Sequence, residues 1–321
     1  MAASSKRVIY AAMLGNFGIA VIKFFAAMMT GSAAMLSEGI HSLVDTGNQV
    51  LLLFGLKQSR KPASEDFPFG HGKEIYFWSF NVAILIFAVG AGVSIYEGVH
   101  SLLHRNDPHS DVNYHVNYIV LAVAMVLEGI AWGLALKAFR KEKGDSGYFE
   151  AVHRGKDPTT FVVLFEDSAA MLGLFVAFIG IFLQQMTGNS LYDSIASIII
   201  GLLLGATSAW LAYETKSLLI GESANRKVVQ GIRKIVASVT QVNHVNEVLT
   251  VHMGPEYILV NLSVDFKDAS KTKDIERTIA TLDNRIKAAY PEVKRIFIEA
   301  EARLPRRSTA SAVDTAALSE S

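Results

Sequence analysis

Six blocks of apolar residues fill the first two thirds of this chain, at 8–29, 33–56, 75–99, 116–139, 160–186 and 195–213. Each reaches or approaches the ~20 residues that a helix needs to cross the hydrocarbon of a bilayer. They are continuous rather than periodic, and predict a six-helix transmembrane domain over residues 1–216. From about Gly221 the pattern changes. Residues 225–238 read as an amphipathic helix with Val228, Val229, Ile232, Ile235 and Val236 on its apolar side. Residues 245–252 read as a strand, and Gly254–Pro255 as a turn. In 257–266, Ile258, Val260, Leu262, Val264 and Phe266 alternate with Leu259, Asn261, Ser263 and Asp265, the pattern of a half-buried strand. A second helix over 271–290 stops before Pro291, and 293–300 supply a third strand. The order α-β-β-α-β makes 217–305 a small α+β domain with helices on one sheet face and the other face free for a partner. The tail 306–321 is rich in Ser, Thr and Ala and is expected to be disordered.

Composition agrees with a membrane protein. Of 321 residues, 51% are hydrophobic and 19% charged, below the ~25% of a soluble domain, and the mean hydropathy is +0.31. The formal net charge is zero, so nucleic acid is not an expected partner. Cysteine is absent, which excludes disulfides and thiolate metal sites. Lys6 and Arg7 precede the first block. Lys57, Arg60, Lys61 and Lys73 lie between the second and third, and Lys137, Arg140, Lys141, Lys143, Arg154 and Lys156 between the fourth and fifth. Lys216 follows the sixth, whereas Arg105 is the one basic residue in the opposite connections. The positive-inside rule places both termini in the cytoplasm. The start shows neither a cleaved signal peptide nor the Arg-rich character of a transit peptide, which favours a bacterial inner membrane over an organelle.

Against this background two apolar blocks carry acids and a histidine. Glu38, His41 and Asp45 lie within the second, and Glu166 and Asp167 within the fifth. Each such charge at the centre of a bilayer costs ~2.5–3.5 kcal/mol on the lenient insertion scale. A divalent cation is the simplest partner for one imidazole and several carboxylates. Spacings of three and four put Glu38, His41 and Asp45 on one helical stripe, which Asn48 extends. Zinc takes histidine nitrogen and carboxylate oxygen at ~2.0–2.2 Å, usually with four tetrahedral ligands. His41, Asp45, Asp167 and Glu166 supply that number. Residues that could support the site or carry protons are Glu38, Asn16, Asn48 and Glu128. Lys23 could snorkel or pair with an acid such as Glu128, and Asp193 reads as the N-cap of the sixth helix. Polar groups that merely bond helices together are the bland alternative, but Ser, Thr or Asn would serve that purpose at lower cost.

The runs TGSAAMLSEGIHSLVDTGNQ at 30–49 and FGHGK at 69–73 resemble the cation diffusion facilitator family of zinc transporters. LFEDSAAMLG at 164–173 and TGNSLYDSIASIIIGLLLG at 187–205 are similar to its mitochondrial zinc-exporter-like branch. The resemblance implies a homodimer in the lipid bilayer, with a metallochaperone-like cytoplasmic domain. It also implies export of a cytoplasmic divalent cation, Zn²⁺ first, as transported substrate, with protons as counter-ion and no catalytic cofactor. The family pattern of one H/D-x-x-x-D pair on each of two helices is matched by His41 and Asp45. On the other helix Asp167 matches, but Val163 stands four residues before it and Glu166 is the substitute. His71 matches one ligand of a loop metal site, with Phe67 at the other common histidine position and Glu65, Asp66 and Glu74 nearby. Asn246 and Asn261 stand where cytoplasmic metal ligands are often found, leaving His244, His252, Asp265, Glu299 and Glu301. A regulatory metal cluster there is therefore expected to be weakened or absent. His100, His104, His109 and His115 read as scattered surface histidines, with a weak metal-release funnel as the alternative. The same ligand set suits Mn²⁺, Fe²⁺ or Co²⁺. Readings from other classes are an intramembrane metallohydrolase and a non-transporting scaffold.

Overall fold

The computed structural model describes residues 2–104, 114–143, 147–148, 152 and 155–303. Arg105, His109, Arg154 and the expected tail 306–321 lie outside the described residues. Helices α1 (Ala2–Thr30) and α2 (Ala33–Ser59) form a hairpin that turns at Gly31, where φ is 66°. Glycine adopts that left-handed conformation without a Cβ clash. Ser32 then starts α2, its Oγ accepting from the Met35 N–H at 3.1 Å. The third crossing joins α3 (Glu74–Leu85) and α4 (Gly92–Leu103) through a π-helical turn at Ile86–Ala91, which the apolar pattern of that block gave no sign of. Helices α5 (Tyr114–Lys143), α6 (Pro158–Thr187) and α7 (Leu191–Ile220) complete the bundle. Asp157 caps α6 just ahead of Pro158, and Gly188 at φ 67° ends it.

Among the described residues, five helical stretches are long and apolar enough to cross a membrane: 13–30, 74–103, 114–140, 158–187 and 191–220. The remaining helix, α2, has 27 residues and so is also long enough. Its polar stripe lowers its hydropathy, yet Leu43, Val50 and Phe54 are exposed on its outer side. We therefore read it as the sixth crossing. It packs against α1, α3, α4, α6 and α7. Close contacts elsewhere use small residues. A Cβ at Gly201 of α7 would lie 2.5 Å from Ile95 Cγ1 and 2.9 Å from the Ile95 backbone nitrogen, so α4 and α7 meet nearly backbone to backbone.

A second compact unit begins at Gly221. It comprises α8 (Arg226–Ala237), β1 (Val242–Gly254), β2 (Tyr257–Phe266), α9 (Thr272–Ala289) and β3 (Val293–Ala300). The sheet order is β1-β2-β3, with β1 and β2 antiparallel and β2 and β3 parallel across the α9 connection. Ile232 and Val236 of α8 and Leu282 and Ile286 of α9 bury against Val248, Val260, Leu262 and Val264. All five residues read as the inward row of β2 are buried. β1 runs beyond the expected strand at both ends. On the opposite face Leu249, Asn261 and Phe297 form one cross-strand row, with Leu249 and Phe297 exposed.

Candidate metal centre

The stripe read from the spacing of α2 faces inward. Glu38, His41, Asp45 and Asn48 are each at most 3% exposed. Asn16 of α1 is buried as well. Across the seam, α6 brings Glu166 and Asp167, both buried despite the turn of ~100° between adjacent helical positions. His41 Nδ1 lies 3.3 Å from Asp45 Oδ1. Asn48 Nδ2 donates to Glu166 Oε1 at 2.6 Å. Asp45 and Glu166 approach within hydrogen-bonding range, and Asp167 lies within electrostatic reach of Asp45. Two carboxylates so close repel one another unless a proton or cation lies between them.

Several of these atoms have unused bonding capacity. Both ring nitrogens of His41, Asp45 Oδ1 and Asn48 Oδ1 are buried without a hydrogen bond. Buried polar atoms normally have partners, and the exceptions call for an explanation. Among the described residues, no three histidine, aspartate or glutamate side chains are already gathered closely enough to hold a metal ion. The four candidate ligands thus occupy one seam without having converged on one point. Closing that gap calls for side-chain rotation or a small shift of α2 against α6.

One helical turn earlier along α2, Glu38 takes part in a different cluster. The Lys23 Nζ donates to Glu38 Oε2 at 3.0 Å and to Ser42 Oγ at 2.8 Å, and lies 3.8 Å from Glu128 Oε1. Lys23 is 0% exposed, so it pairs with acids rather than snorkelling. Sequence reasoning missed Ser42 and Gly173. Ser42 lies four residues after Glu38, so helical spacing alone places both on one face. Gly173 lies seven residues after Glu166 and abuts Glu38 Oε1.

Asp193 differs from expectation. It accepts from the Ser32 hydroxyl at 2.7 Å and from the Ala33 and Ala34 N–H groups at 2.6 and 3.4 Å. It therefore caps α2 rather than its own helix, because the α1–α2 turn brings the free N–H groups of α2 alongside the start of α7.

The remaining candidates stand apart from this seam. The ring of His71 packs on Phe67 with centroids 4.4 Å apart, while Glu74 Oε2 accepts from the Trp78 indole at 2.8 Å. His104 stacks on His100 at 4.3 Å and His115 is exposed. In the second unit Asn246 donates to Ser263 Oγ at 3.1 Å and to the Glu301 carbonyl at 3.2 Å. Ser263 in turn donates to Glu301 Oε2 at 2.6 Å. Asn261 donates to Glu299 Oε1 at 3.4 Å, and Asp265 Oδ2 accepts from Asn243 at 2.6 Å. His244 is paired across the strands with Asp265, and His252 is buried near the Gly254 carbonyl.

A family model described as the cation efflux transmembrane domain matches residues 9–220. The chain is 38% identical over 246 residues to the proton-coupled zinc antiporter SLC30A9, mitochondrial, of Xenopus laevis. That match covers 76% of this chain and 44% of the frog protein, so the chain spans less than half the length of that relative. It is 30% identical over 264 residues to metal tolerance protein C4 of Arabidopsis thaliana, covering 82% of this chain and 57% of the plant protein. It is 25% identical over 303 residues to the manganese efflux system protein MneP of Bacillus subtilis, covering 92% of this chain and 95% of that protein.

Proposed function

Because this chain belongs to the cation efflux family of membrane transporters, we propose that it exports a divalent transition-metal cation, Zn²⁺ first, in exchange for protons. The observation that carries this reading is the α2–α6 seam, where His41 and Asp45 face Glu166 and Asp167 with buried lone pairs to spare. The names of the relatives point to transport rather than hydrolysis, and the described residues give the hydrolase reading no second histidine in that seam.

Binding needs a neutral imidazole and ionised carboxylates, so metal and protons compete for the same atoms. With no metal, the Asp45–Glu166 pair is relieved of repulsion by a proton. An arriving metal ion displaces that proton, and rotation of His41 about its side chain turns a ring nitrogen toward the ion. Exposure of the seam to the far side then lets protons return and the ion leave. Such a labile, unconverged ligand set suits a site that must also let go of its cargo. Even crossings put both termini on one side, and the basic loops make that side the cytoplasm. A bacterial inner membrane is the proposed location, and the exposed Leu249 and Phe297 row supports a homodimer formed through the sheet. The asparagine network at Asn246 and Asn261 supports a domain that assembles rather than one that senses metal.

Reconstitution into proteoliposomes with an imposed pH gradient tests the reading. Zn²⁺ flux should depend on the gradient and fall at least ~100-fold in Asp45→Ala and Asp167→Ala, roughly the effect of losing one ligand worth ~3 kcal/mol. Glu166→Ala should show a similar loss. Wild-type rates from the first two variants would remove both residues from the site. A specific observation favours Mn²⁺ as the second reading: one nitrogen and three carboxylates form a hard ligand set, and the Bacillus relative, matched over 95% of its length, is named for manganese efflux. Flux compared across both ions decides between them.

A further inference from the structure

Resting on the exchange reading above, we propose that Lys23, Glu38 and Glu128 form a second cation site, separate from the metal ligands, whose exchangeable occupant is a proton carried by Glu128. The three residues come from α1, α2 and α5 and are each at most 1% exposed. Two acids and one ammonium leave one negative charge in excess. The Lys23 ammonium directs hydrogen bonds to Glu38 and Ser42, and its 3.8 Å separation from Glu128 is too long for a third. Both oxygens of Glu128 and the Oε1 of Glu38 are buried without a hydrogen bond. A buried ionised carboxylate with no donor from the protein is the costliest state this cluster could hold. A single proton removes the excess: Glu128 as COOH, Glu38 as COO⁻ and Lys23 as NH₃⁺ sum to zero.

Release of that proton converts Glu128 from COOH to COO⁻ and leaves the cluster at −1. The charged groups within electrostatic reach of Glu128 are Lys23 from α1, Glu38 and Asp45 from α2, and Glu166 and Asp167 from α6. His41 lies within electrostatic reach of Lys23. A doubly positive ion arriving among the carboxylates of the seam therefore favours loss of a positive charge from Glu128. Its departure favours the proton's return. The two sites are thus coupled by charge without sharing a ligand. Lys23 also occupies the space between Glu38 and Glu128, which keeps a second metal ion out. Glu128 sits near the middle of α5, ~21 Å from either end at about 1.5 Å per residue. That depth suits a group reached alternately from both sides.

The test is a count of protons moved per metal ion in proteoliposomes, using an internal pH dye, for the wild type and Glu128→Gln. The variant should bind Zn²⁺ about tenfold or more weakly at neutral pH, because binding no longer draws on release of that proton. At saturating Zn²⁺ it should move one proton fewer per ion, with a shallower dependence of flux on the pH gradient. An unchanged proton count would overturn the proposal. A second measurement does not depend on transport or on that variant. With Asp45, Glu166 and Asp167 all replaced by their amides, infrared spectra should still show the carbonyl band of a buried protonated carboxyl. That band should be lost in the same background with Glu128→Gln added. No such band in the triple variant also overturns the proposal. If the wild type carries no metal, the exchange reading fails, while the infrared result still decides whether this cluster holds a proton.

Discussion

Glu38 is held between an ammonium that draws it in and a glycine that leaves it room. Lys23 binds its Oε2 at 3.0 Å, while its Oε1 lies against Gly173 of α6, where a Cβ could not be added without displacing the carboxylate. Gly173→Ala should push Glu38 away from α6 and loosen its bond to Lys23. The obstructing atom is the far end of a flexible side chain, so the cost belongs at the lower end of the ~1–3 kcal/mol typical of overpacking. The midpoint of thermal unfolding in detergent should drop by a few degrees, and Zn²⁺ flux should fall several-fold as the α2–α6 seam spreads. An unchanged midpoint would mean that the seam has slack. At this scale the buried polar residues of the candidate seam were legible. His41, Asp45, Glu166 and Asp167 stood out because polar groups in an apolar block are costly, and all four are buried. Gly173 and Ser42 were not, because glycine and serine are common in membrane helices and neither is costly there. Their significance appears only once Glu38 and Lys23 are seen to meet.

At the scale of elements, the apolar blocks anticipated every long helix, and alternation in β2 anticipated its buried row. Two features could not be read that way. The π-helical turn at Ile86–Ala91 lies inside a uniformly apolar block, where hydropathy carries no information on hydrogen-bond register. The capping of α2 by Asp193 links residues 160 positions apart in sequence, and only tertiary packing brings them together. That cap has a consequence for the site, because the polar stripe of α2 starts little more than one turn beyond the N–H groups that Asp193 accepts. Asp193→Ala removes three acceptor contacts from a buried helix start. Caps are worth ~0.5–2 kcal/mol, and the buried N–H groups left without an acceptor place this one near the top of that range. Folded protein should survive, with a lower unfolding temperature. Amide exchange at Ala33 and Ala34 should quicken well before exchange in α6 does. Equal protection in both helices would show that another group takes over the cap.

Over the whole molecule, the chain forms two compact units that part between Ile220 and Gly221. The second unit has a hydrophobic core of its own, with Ile232, Val236, Leu282 and Ile286 set against the sheet. What the sequence could not show was the use of the other sheet face, because alternation says which residues face away from the helices but not what covers them. Leu249 is 51% exposed and Phe297 41%, in a row with Asn261 between them. Apolar side chains aligned across three strands are better suited to a partner than to water. Residues 221–303 expressed alone should therefore fold cooperatively, since this unit buries a core of its own. Sedimentation should show a monomer–dimer equilibrium in this fragment. Leu249→Asp would place a charge in the centre of the proposed contact, and even ~3 kcal/mol of lost contact energy weakens association by over 100-fold. The variant should sediment as a monomer while its circular dichroism and unfolding midpoint stay close to those of the parent fragment, because Leu249 lies outside the helix-covered core. A parent fragment that is monomeric at every concentration would remove the sheet face as a contact between copies.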